Sequence, residues 1–311
     1  MPLQLPDSDL YVGLAGIDLG GGTYCLGDGI TVAPTYAHLF APMLIHFERP
    51  AAGRKFPSFI QSASGGFSYD IEALLHIPAA CDPGRENARV DLIWWLVALL
   101  RLRGFPSLTA PVLSAVPFSA ITADGEPRLW SMEVTPWRIL GAKSLSQEHV
   151  PQVMDWVAGI WRPGLDLLNA SEDFDVAFRA LDHSMWTPTF SLGLLSLWAA
   201  LERLFSPSRM ELCFRIPAAI ATYLEPPGET RFARYKAIKK LYDARSSIAH
   251  GRSQEVAAEY AATYVLLRDC LARMLDSHAV PERPQLEAQL FGCPRTADQK
   301  NSPDKTPDGT R

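Results

Sequence analysis

The sequence lacks paired cysteines, a membrane-length apolar run and a large excess of charge of one sign. It has five cysteines, which are Cys25, Cys81, Cys213, Cys270 and Cys293. They form no CxxC pair or other metal-ligand spacing, and no signal peptide precedes them, so we expect reduced thiols and a cytoplasmic location. The most apolar run, Leu92–Leu100, covers nine residues, whereas a bilayer-spanning helix needs about 20. We therefore expect a buried helix there, and no membrane partner, metal or cofactor.

Charge also limits the classes of partner. The formal net charge is −5 over 311 residues, and the sequence pI is near 5.8. This balance argues against a protein that coats nucleic acid along its whole surface, but it leaves room for a local basic face. The chain is long enough for one large or two ordinary domains, and its 48% apolar residues can supply their cores.

Residues 1–148 are rich in Gly, Pro and short apolar runs such as Gly29–Ala33 and Ala110–Val116. Such runs are typical of strands separated by turns, and Asp91–Arg103 reads as one helix among them. Strands without a regular strand–helix alternation favour an α+β fold with a β-rich amino-terminal domain. The sequence does not indicate a function for this domain.

Residues 149–278 change to a helical period. After two shorter helical segments, four helices are predicted, at Phe190–Phe205 behind a cap at Thr187 and Pro188, then Met210–Leu224, Arg234–His250 and Glu255–Leu275. Four helices with short connections predict an all-α four-helix bundle. Residues 279–311 are polar and Pro-rich, so we predict a disordered tail.

Arg245 lies on the apolar stripe of the third of these helices. It follows Leu241 by four residues and precedes Ile248 by three, and a charge on a packing face must be compensated. His250 comes five residues later, about 140° round an ideal helix, and Gly251 is suited to end the helix. The guanidinium can stabilise charge on a phosphate, and the imidazole can transfer a proton as a ribose 2′-hydroxyl attacks. Arg245 and His250 are therefore candidate catalytic residues for metal-independent RNA cleavage.

Other residues near this pair are assigned supporting roles. The candidates for orienting the two side chains are Asp243, Ser246 and Glu202. The densest positive charge in the chain lies between Arg231 and Arg252, and its candidate phosphate-binding residues are Lys239, Lys240 and Arg252.

The segment LYDARSSIAHG, Leu241–Gly251, resembles the motif of the Apea-like HEPN family, in which a histidine follows an arginine at this spacing. LWAALERLF, Leu197–Phe205, is similar to the family's first bundle helix, and FRIPAAIATYL, Phe214–Leu224, to its second. The resemblance spans about residues 190–274. It implies a HEPN-type four-helix bundle, RNA as substrate, a homodimer in which two Arg–His pairs share a cleft, and a role as a toxin or antiphage-defence ribonuclease.

Plainer interpretations remain open. Arg245 can be a structural residue paired with Glu202, His250 a helix cap, and the basic run an ordinary solvated face. The whole bundle can be a non-catalytic scaffold or a module for RNA binding or dimerisation. GIDLGGGT, Gly16–Thr23, resembles the phosphate-binding hairpin of the actin and sugar-kinase superfamily, but no second phosphate motif follows. We interpret it as a β-hairpin with a glycine turn, continued through Leu26–Val32.

Overall fold

The structure is a computed structural model. It describes residues 5–41, 44–47, 60–64, 67–81, 88–122, 125, 128–134, 145–206, 211–249 and 256–293. The chain divides into two compact units, residues 1–162 and 163–311. The first contains a β-sheet and the second is helical, so the protein has the predicted α+β composition. Among the described residues, no helix is long and apolar enough to cross a membrane.

A six-stranded antiparallel sheet forms the centre of the first unit. Its spatial order is β2-β3-β6-β1-β7-β8, and β4 and β5 form a separate two-stranded ladder. The strands are β1 (Leu10–Ala15), β2 (Tyr24–Gly27), β3 (Ile30–Ala41), β4 (Leu44–Phe47), β5 (Ile60–Ser64), β6 (Phe67–Ile77), β7 (Thr109–Ser114) and β8 (Leu129–Ser131). The runs predicted as strands at Gly29–Ala33 and Ala110–Val116 fall in β3 and β7, so those predictions are confirmed.

The hairpin from β2 to β3 turns at Asp28 and Gly29. Both residues have positive φ, 51° and 76°, as a two-residue hairpin of the type favoured by an Asp-Gly sequence requires. The predicted hairpin at Gly16–Thr23 is wrong, because the flanking strands β1 and β2 are not neighbours in the sheet, and only its continuation through Leu26–Val32 forms a hairpin.

Helix α1 (Ala88–Arg103) is the predicted buried helix of the first unit. The helix has no distinct apolar face, because most of its side chains are buried, including the charged Arg101. That guanidinium donates to the Leu108 carbonyl at 3.0 Å and pairs with Glu133. The pairing satisfies a buried charge that would otherwise be costly. Helix α2 (Val150–Ala170) follows, and the division between the units falls within it rather than at residue 148.

The second unit contains the predicted helices. They are α3 (Glu172–Ser184), α4 (Phe190–Phe205), α5 (Leu212–Leu224), α6 (Glu229–Ala249) and α7 (Ala257–Ser277). Helix α4 contacts α3, α5, α6 and α7, and its apolar residues supply much of the unit's core. The cap of α4 differs from the prediction, because the Thr189 hydroxyl, not Thr187, accepts from the Leu192 amide at 3.3 Å.

A close approach between α4 and α7 depends on Gly193. A Cβ atom there would lie 2.5 Å from the ring of Tyr260 and 2.9 Å from the Thr187 hydroxyl. The fully buried Tyr260 donates its hydroxyl to the Ser184 carbonyl at 2.9 Å. Glycine within a helix costs about 1 kcal/mol relative to alanine, and here it makes room for a buried aromatic ring.

The prediction of a disordered tail from residue 279 is wrong for its first part. Helix α8 (Arg283–Leu290) forms there and packs against α5, with Leu286 buried. Arg283 also donates to the Arg203 carbonyl at 2.6 Å and pairs with Asp173 at 3.2 Å. Composition failed as a guide because a few contacts with distant residues hold this short helix, including those of Leu286, Arg283 and Glu287. Residues 294–311 lie outside the described part of the chain.

Candidate functional site

Arg245 lies in the last turn and a half of α6, where that helix contacts α4. The buried residues of α6 are Ile238 and Tyr242, and Leu241, Arg245 and Ile248 are half-buried beside them. The predicted stripe therefore faces the core, and Arg245 sits on its edge with 26% of its side chain exposed. Its guanidinium is partly shielded from water yet reachable.

Glu202 of α4 compensates this charge. Its Oε1 lies 3.0 Å from Arg245 Nη2, and 23% of its side chain is exposed. Neither Glu202 Oε1 nor Arg245 Nε makes a hydrogen bond within the described part of the chain. Charge rather than hydrogen-bond geometry therefore holds the pair. The unpaired Arg245 Nε is itself shielded from solvent, so an incoming anion has to meet the exposed part of the side chain instead.

An aromatic pair that the sequence interpretation missed lies behind the ion pair. Tyr242 stacks edge-on against Trp198 with ring centroids 5.2 Å apart, and the Arg245 guanidinium lies 5.7 Å from the Tyr242 ring centre. Burial, and secondarily the charge of Glu202, raise the pKa of Tyr242. Its position four residues after Ile238 and three before Arg245 was the available signal, because that spacing marks one helix face.

Asp243 does not serve the Arg245 site. Its carboxylate pairs with Lys239 at 3.1 Å on the exposed side of α6, and this hydrogen bond raises the pKa of Lys239. Its backbone carbonyl accepts from the Ser247 hydroxyl at 3.1 Å. Ser246 is half-buried. Of the three predicted supporting residues, the structure brings only Glu202 into contact with Arg245.

Most of the basic residues on α6 already pair with, or contact, other residues of the chain. Arg231 donates to the carbonyls of Glu225 and Gln289, and Lys236 lies 4.2 Å from the centre of the Phe232 ring. The remaining ion pairs join Arg234 to Glu225 and Asp269, Lys239 to Asp243, and Arg245 to Glu202. Lys240 is exposed. Lys239 and Lys240 are about 120° and 140° from Arg245 round the helix axis, so these lysines and the arginine occupy different faces.

His250, Gly251 and Arg252 lie outside the described residues. Helix α6 ends at Ala249, so His250 is the next residue in the sequence. Its catalytic role and the phosphate-binding role of Arg252 stay predictions.

The Gly-rich segment of the first unit is not arranged as a phosphate cradle. The Gly20 amide donates to Asp18 Oδ1 at 2.9 Å, and Gln147 donates to the other carboxylate oxygen. The Gly20 bond, followed by that of Gln147, lowers the pKa of Asp18. An ionised carboxylate already occupies the position where a phosphate would meet backbone amides, and it would repel one.

Comparison with protein families, with curated proteins and with solved structures finds no match for this chain. The arrangement around Arg245 therefore has to be interpreted from its own chemistry.

Proposed function

We propose that the helical unit is a HEPN-type domain that cleaves RNA without a metal ion, using Arg245 and His250. The guanidinium of Arg245 stabilises the negative charge that builds up on the scissile phosphate. The imidazole of His250 moves the proton of the ribose 2′-hydroxyl as that oxygen attacks the phosphorus. The products are a 2′,3′-cyclic phosphate and a free 5′-hydroxyl, and no cofactor is consumed.

One observation carries this proposal, namely the charged Arg245 near the end of α6, which is 26% exposed, pairs with Glu202 and has a buried Nε that makes no hydrogen bond within the described residues. A purely structural arginine at this depth would be expected to saturate its donors with carboxylate and carbonyl oxygens. Arg101 shows that pattern in the same chain, since its Nε donates to a carbonyl and it pairs with Glu133. Arg245 instead leaves its Nε without a hydrogen bond, and the candidate His250 follows it by five residues in the sequence.

Glu202 sets the affinity of this arrangement for phosphate. Its carboxylate lies 3.0 Å from the guanidinium and competes with any incoming anion. Phosphate binding at Arg245 therefore requires the guanidinium to share or exchange this partner. Glu202→Gln should tighten RNA binding, because the competing charge is removed while the side-chain shape is kept.

The cleavage test compares wild type with His250→Ala and Arg245→Ala on a defined RNA in the presence of EDTA. His183 serves as a control histidine from the same unit, because it is exposed and lies in the last turn of α3, away from Arg245 in the sequence. Wild type and His183→Ala should cut, whereas His250→Ala and Arg245→Ala should lose at least about 100-fold in rate, the usual contribution of a positioned proton-transfer group.

The chemistry of the cut is tested separately. A 2′-deoxy sugar at the scissile position should prevent cleavage, and the product should carry a 2′,3′-cyclic phosphate. Full activity in folded His250→Ala would refute the role of that histidine, and a strict requirement for added magnesium would refute the mechanism.

A binding module without cleavage is the second candidate. It is favoured by the exposed aromatic cluster of Phe214, Phe232 and Tyr235 on α5 and α6, in which Phe214 and Phe232 are 50% and 52% exposed. Exposed aromatic clusters mark interaction surfaces. RNA or a second copy of the chain that binds tightly but is never cut would favour this function, and sedimentation of the protein alone would show whether it forms the expected homodimer.

A further inference from the structure

Two neighbouring pockets in the second unit lie away from Arg245. The larger has a volume of about 360 Å³ and is walled by the end of α5, the turn before α6, α7 and the end of α8. The smaller, of about 220 Å³, lies between α5, α6 and α8. Their combined size suits a small-molecule ligand, for which pockets typically measure about 300–1,000 Å³.

The larger pocket is suited to an anion. Arg231 and Arg273 line it. Arg273 donates one N–H to the Leu224 carbonyl at 2.7 Å. No carboxylate pairs with Arg273 within the part of the chain that the structure describes. Among the described lining residues Glu225 is the only acidic one, and it lies 3.6 Å from Arg234, which compensates its charge. The pocket therefore has a net positive lining.

Thr222 adds a second polar feature to this pocket. It lines the wall and is 2% exposed, and its hydroxyl has no hydrogen-bond partner among the residues described. An unpaired buried hydroxyl costs about 1–3 kcal/mol. The hydroxyl is itself shielded from solvent, so an anion oxygen would meet it only after the Thr222 side chain turned toward the pocket.

The smaller pocket is suited to a flat apolar ring. Phe214, Phe232 and Tyr235 line it. Phe232 and Tyr235 lie nearly parallel, with centroids 6.4 Å apart at 11°, and Phe214 meets Tyr235 edge-on at 5.8 Å. About half of each phenylalanine is exposed. Exposed rings in this arrangement are suited to stacking a nucleobase.

The two pockets adjoin at Arg231, which lines both. Adjacent residues also divide between them on α5 (Thr222 and Ala221) and on α8 (Gln289 and Leu290). Arg231 is fixed across this boundary by its bonds to the carbonyls of Glu225 and Gln289, at 3.0 and 3.2 Å. A ligand with an anionic group on one side and a ring on the other can therefore straddle it.

We infer that this double pocket binds a phosphate monoester attached to a nucleoside, with the phosphate at Arg273 and the base on the Phe232 ring. Such a phosphate carries about −1.5 to −2 charge at neutral pH, which matches the positive lining. The chemistry is shared by a free nucleotide and by the phosphorylated end of an RNA strand. The inference does not depend on cleavage at Arg245, because the two sites share no residue.

The test is isothermal titration calorimetry of the full chain with AMP, adenosine and inorganic phosphate. AMP should bind at least about tenfold more tightly than either fragment, a difference of about 1.4 kcal/mol. Arg273→Gln should weaken AMP about tenfold or more, as expected for hydrogen bonds to a charged group, without changing adenosine binding. Phe232→Ala should weaken AMP and adenosine alike, and this exposed position should leave the melting temperature nearly unchanged. Arg268→Gln is the control, because Arg268 lies on the same helix, pairs with Asp269 and lines neither pocket.

A 5′-phosphorylated RNA oligomer and its 5′-hydroxyl counterpart distinguish the two sources of ligand. Tighter binding of the phosphorylated oligomer than of AMP would assign the pocket to RNA ends, and the reverse order would assign it to free nucleotides. AMP binding no stronger than that of its fragments, or AMP affinity unchanged in both Arg273→Gln and Phe232→Ala, would overturn the inference.

Discussion

The Arg245–Glu202 pair should stabilise the helical unit measurably, and a double-mutant cycle can isolate its contribution. Arg245→Met keeps the packed stem and removes the charge, and Glu202→Gln keeps the shape of the partner. Each single change leaves one charge without its partner where only 26% and 23% of the two side chains are exposed. The cycle separates the interaction from the effects of the individual substitutions.

The magnitude follows from distance and exposure. Two unit charges this close attract by about 5 kcal/mol at an effective dielectric constant near 20. Desolvation opposes that attraction, so exposed pairs contribute about 0–1 kcal/mol, whereas breaking a buried pair costs about 3–5 kcal/mol. For this half-buried pair we expect each single variant to lower the free energy of unfolding by about 2 kcal/mol, with a coupling of about 1.5 kcal/mol.

The assay is urea unfolding followed by far-ultraviolet circular dichroism. The Lys239–Asp243 pair provides a matched control, since its atoms lie 3.1 Å apart but its side chains are 43% and 57% exposed. Its coupling should stay below about 0.5 kcal/mol. Equal couplings in the two cycles would refute the argument that partial burial gives the Arg245 pair its strength.

Three further predictions concern other parts of the chain. Lys239→Ala combined with Lys240→Ala should weaken RNA binding and flatten its dependence on salt in filter-binding assays; an unchanged slope would remove these lysines from the interface. Truncation after Val280 should lower the melting temperature by several degrees, because it removes α8, whereas truncation after Cys293 should leave it nearly unchanged. Burial raises the pKa of the Cys270 thiol, so this thiol should resist a thiol reagent in the folded protein while the exposed Cys213 reacts; equal rates would contradict its burial.

Local signals predicted most of the elements. The apolar period predicted α4 through α7, and the short apolar runs predicted strands in β3 and β7, because these features depend on residues close in sequence. Helix α8 was not predicted because its contacts are with residues far away in the chain, such as Asp173, the Arg203 carbonyl and the residues of α5 that cover Leu286. Tertiary contacts of this kind leave little trace in local composition.

Some features of the candidate site could likewise be predicted from local spacing, and others could not. The placement of Arg245 on the packing face and its pairing with Glu202 were both within reach of helical spacing and charge. The basic run carries less unpaired positive charge than its composition suggests, because some of its partners lie outside α6, as Glu225 and Asp269 do for Arg234. A count of lysines and arginines along one helix cannot anticipate carboxylates contributed by its neighbours.

Gly193 restricts what sequence change the helical unit can accept. Its missing side chain is the space into which the Tyr260 ring fits, so these two positions cannot vary independently. Even alanine at position 193 would require the ring to move, and the ring's hydroxyl is anchored at Ser184. Randomising the residues of α4 and selecting for folded protein should therefore return glycine at this position, or glycine replaced only together with a smaller residue at position 260. The exposed neighbour Leu192 should vary freely in the same library.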